Sequence, residues 1–316
     1  MTFAMKLIFC GTPQFAVPTL DRLIADQHEI ELVMTNPDEP SGRGYETKPS
    51  PVKQAAVRAG LEVFQPAKLK DESTVAFLSK FQPDFIAVVA YGHIIPSWMI
   101  DLPKQGCINL HASLLPKFRG AAPIQWAIMR GESVTGVTTM KIDEGLDTGD
   151  ILLKEEVPIE ASDTTETLSE RLSGVGSGLM AETLGKLSRG VIQPQPQDHS
   201  QATLAPILKK ENGRIVWTLP AEEIAWRVRG LRPWPGAYTS FRSKNLHIWS
   251  AAPVPSPGGA GDHPGTLVSE HGRLRVVCGY GTLLELLEVQ LEGRKRLATR
   301  EFLNGMRPAA GEILGA

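Results

Sequence analysis

Short apolar runs that alternate with amphipathic helical patterns constrain this chain more than any other feature. Residues 5–10 form the first run and end in Gly11-Thr12-Pro13, which reads as a strand closed by a tight turn. A helix is expected next, with Phe15, Val17, Leu20, Leu23 and Ile24 on one face. Runs at 30–34, 62–64 and 85–90 are expected strands, with helices at 52–59 and 73–81 between them. Strands joined through helices lie parallel, so the expected fold is α/β, a Rossmann-like doubly wound sheet. The first turn lacks G-x-G-x-x-G, so the dinucleotide fingerprint is absent. The layout still predicts a ligand site at the carboxyl ends of the strands.

The next strand brings chemistry to such an end. Residues 106–123 read G-C-I-N-L-H-A-S-L-L-P-K-F-R-G-A-A-P. Ile108 and Leu110 alternate with Asn109 and His111, which puts the amide and the imidazole on one face. Asn can donate to an oxygen that gains negative charge, and His can move a proton near neutral pH. Lys117, Arg119 and Gly120 then form a cationic turn before a short helix near Pro123. Two polar residues in a strand are usually surface decoration, and the longer string is the specific signal. S-L-L-P-K-F-R-G-A-A-P resembles the signature of the folate-dependent formyltransferases. That resemblance implies catalytic roles for Asn109 and His111, with Asp147 of G-L-D-T-G-D-I as their partner. It also implies that the folate lies against Ser113, Leu114, Leu115 and Pro116.

Residues 36–51, N-P-D-E-P-S-G-R-G-Y-E-T-K-P-S-P, form a loop too long for a plain connection. Composition alone leaves two readings open, a surface insertion or a functional loop. The branch of the family that formylates methionyl-tRNA carries a similar Gly-Arg-Gly loop. The resemblance therefore implies tRNA contacts at Arg43 and Lys48. Residues 136–142 and 151–158 are the last expected strands of the first domain, with D-E-G-L-D-T-G-D after the former. This acidic loop matches no EF-hand spacing, and no metal is expected. Asp163-Thr-Thr-Glu166 reads as a capping box for a helix over 164–187, which glycines 174, 176 and 178 interrupt.

The Gln/Pro alternation at 191–197 reads as an extended linker. The division expected is a catalytic domain over 1–190, a linker over 191–208 and a second domain over 209–316. A helix near 221–229 and strands at 237–241, 246–252, 274–278 and 283–291 suggest a small β-barrel, for which an OB-like form is one option. R-V-R-G-L-R-P-W-P-G-A-Y is either a core corner or a basic wall for RNA.

Length and composition fit a two-domain globular chain. No apolar run approaches the roughly 20 residues that span a bilayer. The N-terminus reads as a strand rather than a signal peptide, and Met5 is an alternative start. Cys10, Cys107 and Cys278 are scattered, which fits a reducing cytoplasm and excludes a thiolate zinc site. The expectation is a cytoplasmic monomer without a membrane partner. Residues 209–316 hold 15 Lys and Arg against 10 Asp and Glu, a charge of +5 in a chain of net charge -2. A basic second domain hints at a polyanionic partner.

G-T-P-Q-F-A-V-P, the Gly-Arg-Gly loop, P-S-P-V-K, the long signature, G-L-D-T-G-D-I and L-R-P-W-P-G-A-Y follow the family's order over nearly the whole chain. The resemblance implies formyl transfer from 10-formyltetrahydrofolate to the methionine α-amino group of initiator methionyl-tRNA, for translation initiation. Two alternatives differ in class. A sister enzyme would formylate a small amine, an amino-sugar nucleotide or glycinamide ribonucleotide. An RNA-binding module with a dead catalytic domain would lack the triad, which is intact here.

Overall fold

The computed structural model describes residues 4–41, 46–256, 263–309 and 311–315. Its first part runs β1 (Lys6–Gly11), α1 (Val17–Ala25), β2 (Glu29–Met34), β3 (Glu39–Ser41), β4 (Glu46–Lys48), α2 (Pro51–Arg58), β5 (Val63–Phe64) and α3 (Glu72–Leu78). It continues with β6 (Phe85–Val89), α4 (Ser97–Ile100), β7 (Cys107–His111), α5 (Pro123–Met129), β8 (Val134–Lys141), β9 (Ile151–Pro158) and α6 (Thr165–Ser188). Seven strands form one sheet in the order β5-β2-β1-β6-β7-β8-β9, and β3 and β4 pair separately. The five strands from β5 to β7 are parallel, whereas β8 and β9 are antiparallel additions. The chain order reverses between β1 and β6, which makes that point the switch where ligands enter such sheets.

Apolar residues fill both faces of the central strands, and all of Phe85–Val89 is buried. Ile8, Cys10, Leu32, Met34, Ile86 and Val88 share one core cluster with Leu78 and Met99. Helix α6 lies close on β7, and a Cβ on Gly176 would stand 2.7 Å from Leu110 Cδ2. A glycine inside this helix therefore serves close packing. The cap of α6 differs from the expected Asp163–Glu166 box. Thr164 and Thr167 exchange the two bonds, Thr164 N–H to Thr167 Oγ1 at 3.0 Å and Thr167 N–H to Thr164 Oγ1 at 3.4 Å. Asp163 Oδ2 instead accepts from the Glu160 N–H at 2.7 Å.

Contacts divide the chain into two units, and the division is not linear in sequence. Residues up to Pro123, Val134–Pro158 and Ser169–Ala205 form the first. Residues Ile124–Ser133, Ile159–Leu168 and those from Pro206 onward form the second. Residues 195–205, read from sequence as linker, are tied into the first unit. Gln195 exchanges two backbone bonds with Ile151 at the start of β9, at 2.8 and 2.9 Å. Arg119 N–H donates to Thr203 O at 2.8 Å, and Ala205 N–H donates to Arg119 O at 2.7 Å. An extended chain has free backbone groups, and here they find partners on the first unit.

The second unit contains α7 (Ala221–Gly230), β10 (Ala237–Phe241), β11 (Lys244–Val254), β12 (Leu267–Glu270), β13 (Arg273–Val277), β14 (Leu283–Leu291), β15 (Leu297–Ala298) and α8 (Thr299–Met306). Its sheet is antiparallel in the order β10-β11-β14-β13-β12, with β15 on β14. Strand β10 alternates buried Ala237, Thr239 and Phe241 with half-buried Tyr238 and Ser240. Residues 311–315 close the barrel. Gly315 N–H donates to Ser240 O of β10, while Leu314 N–H donates to Gly265 O and Leu267 N–H of β12 to Glu312 O. One short segment thus serves both edge strands. The sequence reading missed this stitch together with β12, β15 and α8.

The arginine corner is engaged within the second unit. Arg227 pairs with Glu223 at 3.3 Å, Arg232 pairs with Glu166 at 3.0 Å, and Arg229 donates to Asp163 O at 2.7 Å. The core-corner reading fits these contacts. Among the described residues, no helix is long and apolar enough to cross a membrane.

Candidate active site

Strand β7 ends at the carboxyl edge of the sheet on His111, which is 6% exposed. Its Nε2 lies 2.9 Å from the Phe118 carbonyl oxygen. A carbonyl can only accept, so Nε2 carries a hydrogen and Nδ1 is the basic atom of the neutral ring. Nδ1 faces Asp147 Oδ2 at 3.6 Å, across from the loop between β8 and β9. That separation exceeds a direct hydrogen bond and lies within ion-pair distance of a protonated ring. The same Asp147 oxygen accepts the Gly120 N–H at 2.7 Å. Asn109 is half-buried on β7, and its amide has no partner among the described residues. The structure therefore brings His111 and Asp147 together, with an uncommitted amide two residues before His111.

The expected folate stretch spends its backbone on internal bonds. Ser113 O accepts from Thr138 Oγ1 at 2.7 Å, and Leu114 O accepts from Lys117 N–H at 3.1 Å. Leu115 O accepts from Lys154 Nζ, and Pro116 O accepts from Thr203 N–H at 3.4 Å. The Ser113 hydroxyl donates to Lys117 O at 2.6 Å. Leu115 is fully buried beside Met140 and Ile151, which leaves half-buried Leu114 and Pro116 as the accessible part. Thr138 fixes this stretch twice, since its hydroxyl also accepts from Leu115 N–H at 3.1 Å. Replacing Thr138 with Val keeps the shape but leaves a buried N–H and C=O unpaired. We expect Thr138→Val to lose about 1–3 kcal/mol of stability, measured by denaturant unfolding.

Two buried residues at this site carried no sequence signal as such. Arg119, read as part of a cationic turn, is 6% exposed. Gln197, read as linker, is buried as well, and its Oε1 accepts from Arg119 Nη2 at 2.6 Å. Around the switch point, Asn36 Oδ1, Tyr91 Oη and His93 Nε2 are buried without partners among the described residues. No group of three or more His, Cys, Asp or Glu that could hold a metal ion occurs among the described residues. Lys48 is exposed at the end of β4, and Arg43 lies outside the described residues.

Residues 5–184 match the formyl transferase family model, and residues 207–307 match the model of the formyl transferase C-terminal domain. A methionyl-tRNA formyltransferase from Koribacter versatilis is 55% identical over 98% of this chain and 99% of that protein. One from Acidobacterium capsulatum is 52% identical over 99% of this chain and all of that protein. Among solved structures, an N-formyltransferase from Helicobacter canadensis in complex with folinic acid and dTDP-3-aminofucose superposes with a TM-score of 0.68 at 17% identity. The match covers 89% of this chain and 98% of that one. A methionyl-tRNA formyltransferase from Clostridium thermocellum gives 0.56 at 19% identity, over 87% of this chain and all of that one. At such identities the structures speak to fold alone.

Proposed function

The chain belongs to the formyl transferase family, and on that premise we propose how its residues perform the transfer. It moves a formyl group onto the α-amino group of methionine carried by initiator methionyl-tRNA, the activity of its full-length relatives. The donor is proposed to be 10-formyltetrahydrofolate, which supplies an activated formyl carbon. The unpartnered polar atoms of Asn36, Tyr91 and His93 suit a flat, polar ligand at the strand ends. Leu114 and Pro116 offer it apolar contact.

The incoming α-amino group, with an ordinary pKa near ~8, attacks only when neutral. Asn109 donates its free amide to the formyl oxygen as negative charge develops there. His111 keeps its Nε2 hydrogen on the Phe118 carbonyl, so Nδ1 is the atom able to take a proton from the amine. Asp147, held by the Gly120 N–H, faces that atom and stabilises the imidazolium that forms. Nδ1 then returns the proton to the departing nitrogen, so the transfer balances within the site. The observation that carries the reading is this Nδ1 to Asp147 geometry beside an uncommitted Asn109.

Arg43 and Lys48 are proposed to hold the tRNA, and the +5 charge of 209–316 to contact its phosphates. The catalytic domain over 1–190 and tRNA-binding domain over 209–316 are the proposed functional division. The test is formylation with 10-formyltetrahydrofolate and a choice of acceptors, methionyl-tRNA against an amino-sugar nucleotide and glycinamide ribonucleotide. Formylation of a small amine in preference would overturn the tRNA assignment. In the same assay Arg43→Ala should raise the KM for tRNA while leaving the melting temperature near wild type. Binding should also fall with salt, by roughly 0.7–0.9 log units per log unit for each phosphate contact.

A further inference from the structure

Asp147 sits in a conformation that an ordinary residue avoids, with φ at +52°. Asp tolerates this region better than most residues, and the bonds around it fix the turn. The Gln197 amide reaches across from the far end of the first unit's sequence. Its Nε2 donates to Asp147 O at 2.9 Å and to Gly149 O at 2.7 Å, bracketing the left-handed turn. Its Oε1 accepts from Arg119 at both Nε, 3.2 Å, and Nη2, 2.6 Å. The amide orientation is fixed by chemistry, because a guanidinium only donates and carbonyls only accept.

Arg119 strengthens the arrangement. It is a buried cation with no carboxylate partner among the described residues; its side chain meets only the Gln197 oxygen and His199 Nδ1 at 3.1 Å. A charged donor on Oε1 polarises the amide and makes the Nε2 hydrogens better donors. Arg119 also precedes Gly120, whose N–H holds the Asp147 carboxylate. Backbone and side chain of Asp147 are thus gripped from one continuous network.

We propose that Gln197 is a positioning residue that holds Asp147 in register with His111. The proposal rests on the role assigned to Asp147 above. A displacement near 1 Å of a catalytic group costs about 10²-fold in rate. Gln197→Leu should therefore lower kcat by that factor, with the KM for tRNA little changed. Gln197→Glu is the second variant. It keeps an acceptor for Arg119, loses both donors, and should show the same loss of kcat.

The decisive measurement is a double-mutant cycle with Asp147→Asn. If Gln197 acts through Asp147, adding Gln197→Leu to Asp147→Asn should cost less than about twofold in single-turnover rate. A full additional loss in that background would make Gln197 structural and overturn the proposal. So would wild-type kcat in folded Gln197→Leu, or failure of both variants to fold. Should Asp147→Asn itself keep wild-type turnover, the role of Asp147 fails, and the proposal for Gln197 falls with it on that separate ground.

Discussion

Asn109→Ala should lower single-turnover formylation by about 10²–10³-fold, the usual effect of removing one donor to a developing oxyanion. The amide is half-buried on β7 and hydrogen-bonded to no described residue, so its removal breaks no internal hydrogen bond. The melting temperature should stay near wild type, and folate should still bind. His111→Ala should lose a similar factor, but with a cost in stability, because it also empties a buried site and frees the Phe118 carbonyl. The two losses should not add. Residues that act as a unit in one step lose most of the rate with the first removal. Retention of more than about a tenth of wild-type turnover by Asn109→Ala would refute its role as oxyanion donor. Strict additivity in the double variant would show that the two act in separate steps.

What the sequence disclosed follows the range of the physics behind it. Local periodicity carried β6, β7 and β14, since each alternates or runs apolar over its own length. The pairing of His111 with Asp147 spans three elements, and no local pattern connects them; only the likeness of whole motifs did. Gln197 shows the opposite failure. A glutamine at the end of a Gln/Pro alternation carries every local mark of a solvated linker, yet its amide is buried because Arg119 and two carbonyls need partners. Arg119 likewise read only as part of a cationic turn, and its backbone is bonded on both sides to the returning segment at Thr203–Ala205. The barrel closure by residues 311–315 rests on non-local backbone bonds that composition does not encode. The cap of α6 failed by one position, because Asp163 bonds backward to Glu160 and leaves the cap to Thr164. The interleaving of 124–133 and 159–168 with the second unit also decides experimental strategy. A cut after Ala205 would strip these segments of the partners they pack on, so charge substitutions test RNA binding more cleanly than truncation.

Gly120→Ala should damage stability and chemistry together. The residue holds φ at +118°, a region in which an L side chain is strained by about 1–3 kcal/mol. Space is lacking as well, since an added Cβ would stand 2.8 Å from the Ala205 carbonyl oxygen. That carbonyl accepts from Ala122 N–H at 3.1 Å, and the Ala205 N–H bonds Arg119 O, so this segment cannot retreat without breaking bonds. The remaining outlet is for Gly120 to turn, and its N–H is what holds Asp147 Oδ2. A displacement near 1 Å at such a site costs about 10²-fold in rate. Gly120→Ala should therefore unfold at lower denaturant and turn over about 10²-fold more slowly, even at temperatures where it is fully folded. Circular dichroism on the assayed sample separates the two effects. If folded Gly120→Ala keeps wild-type kcat, the Gly120 N–H does not position Asp147, and the carboxylate finds its place by other contacts.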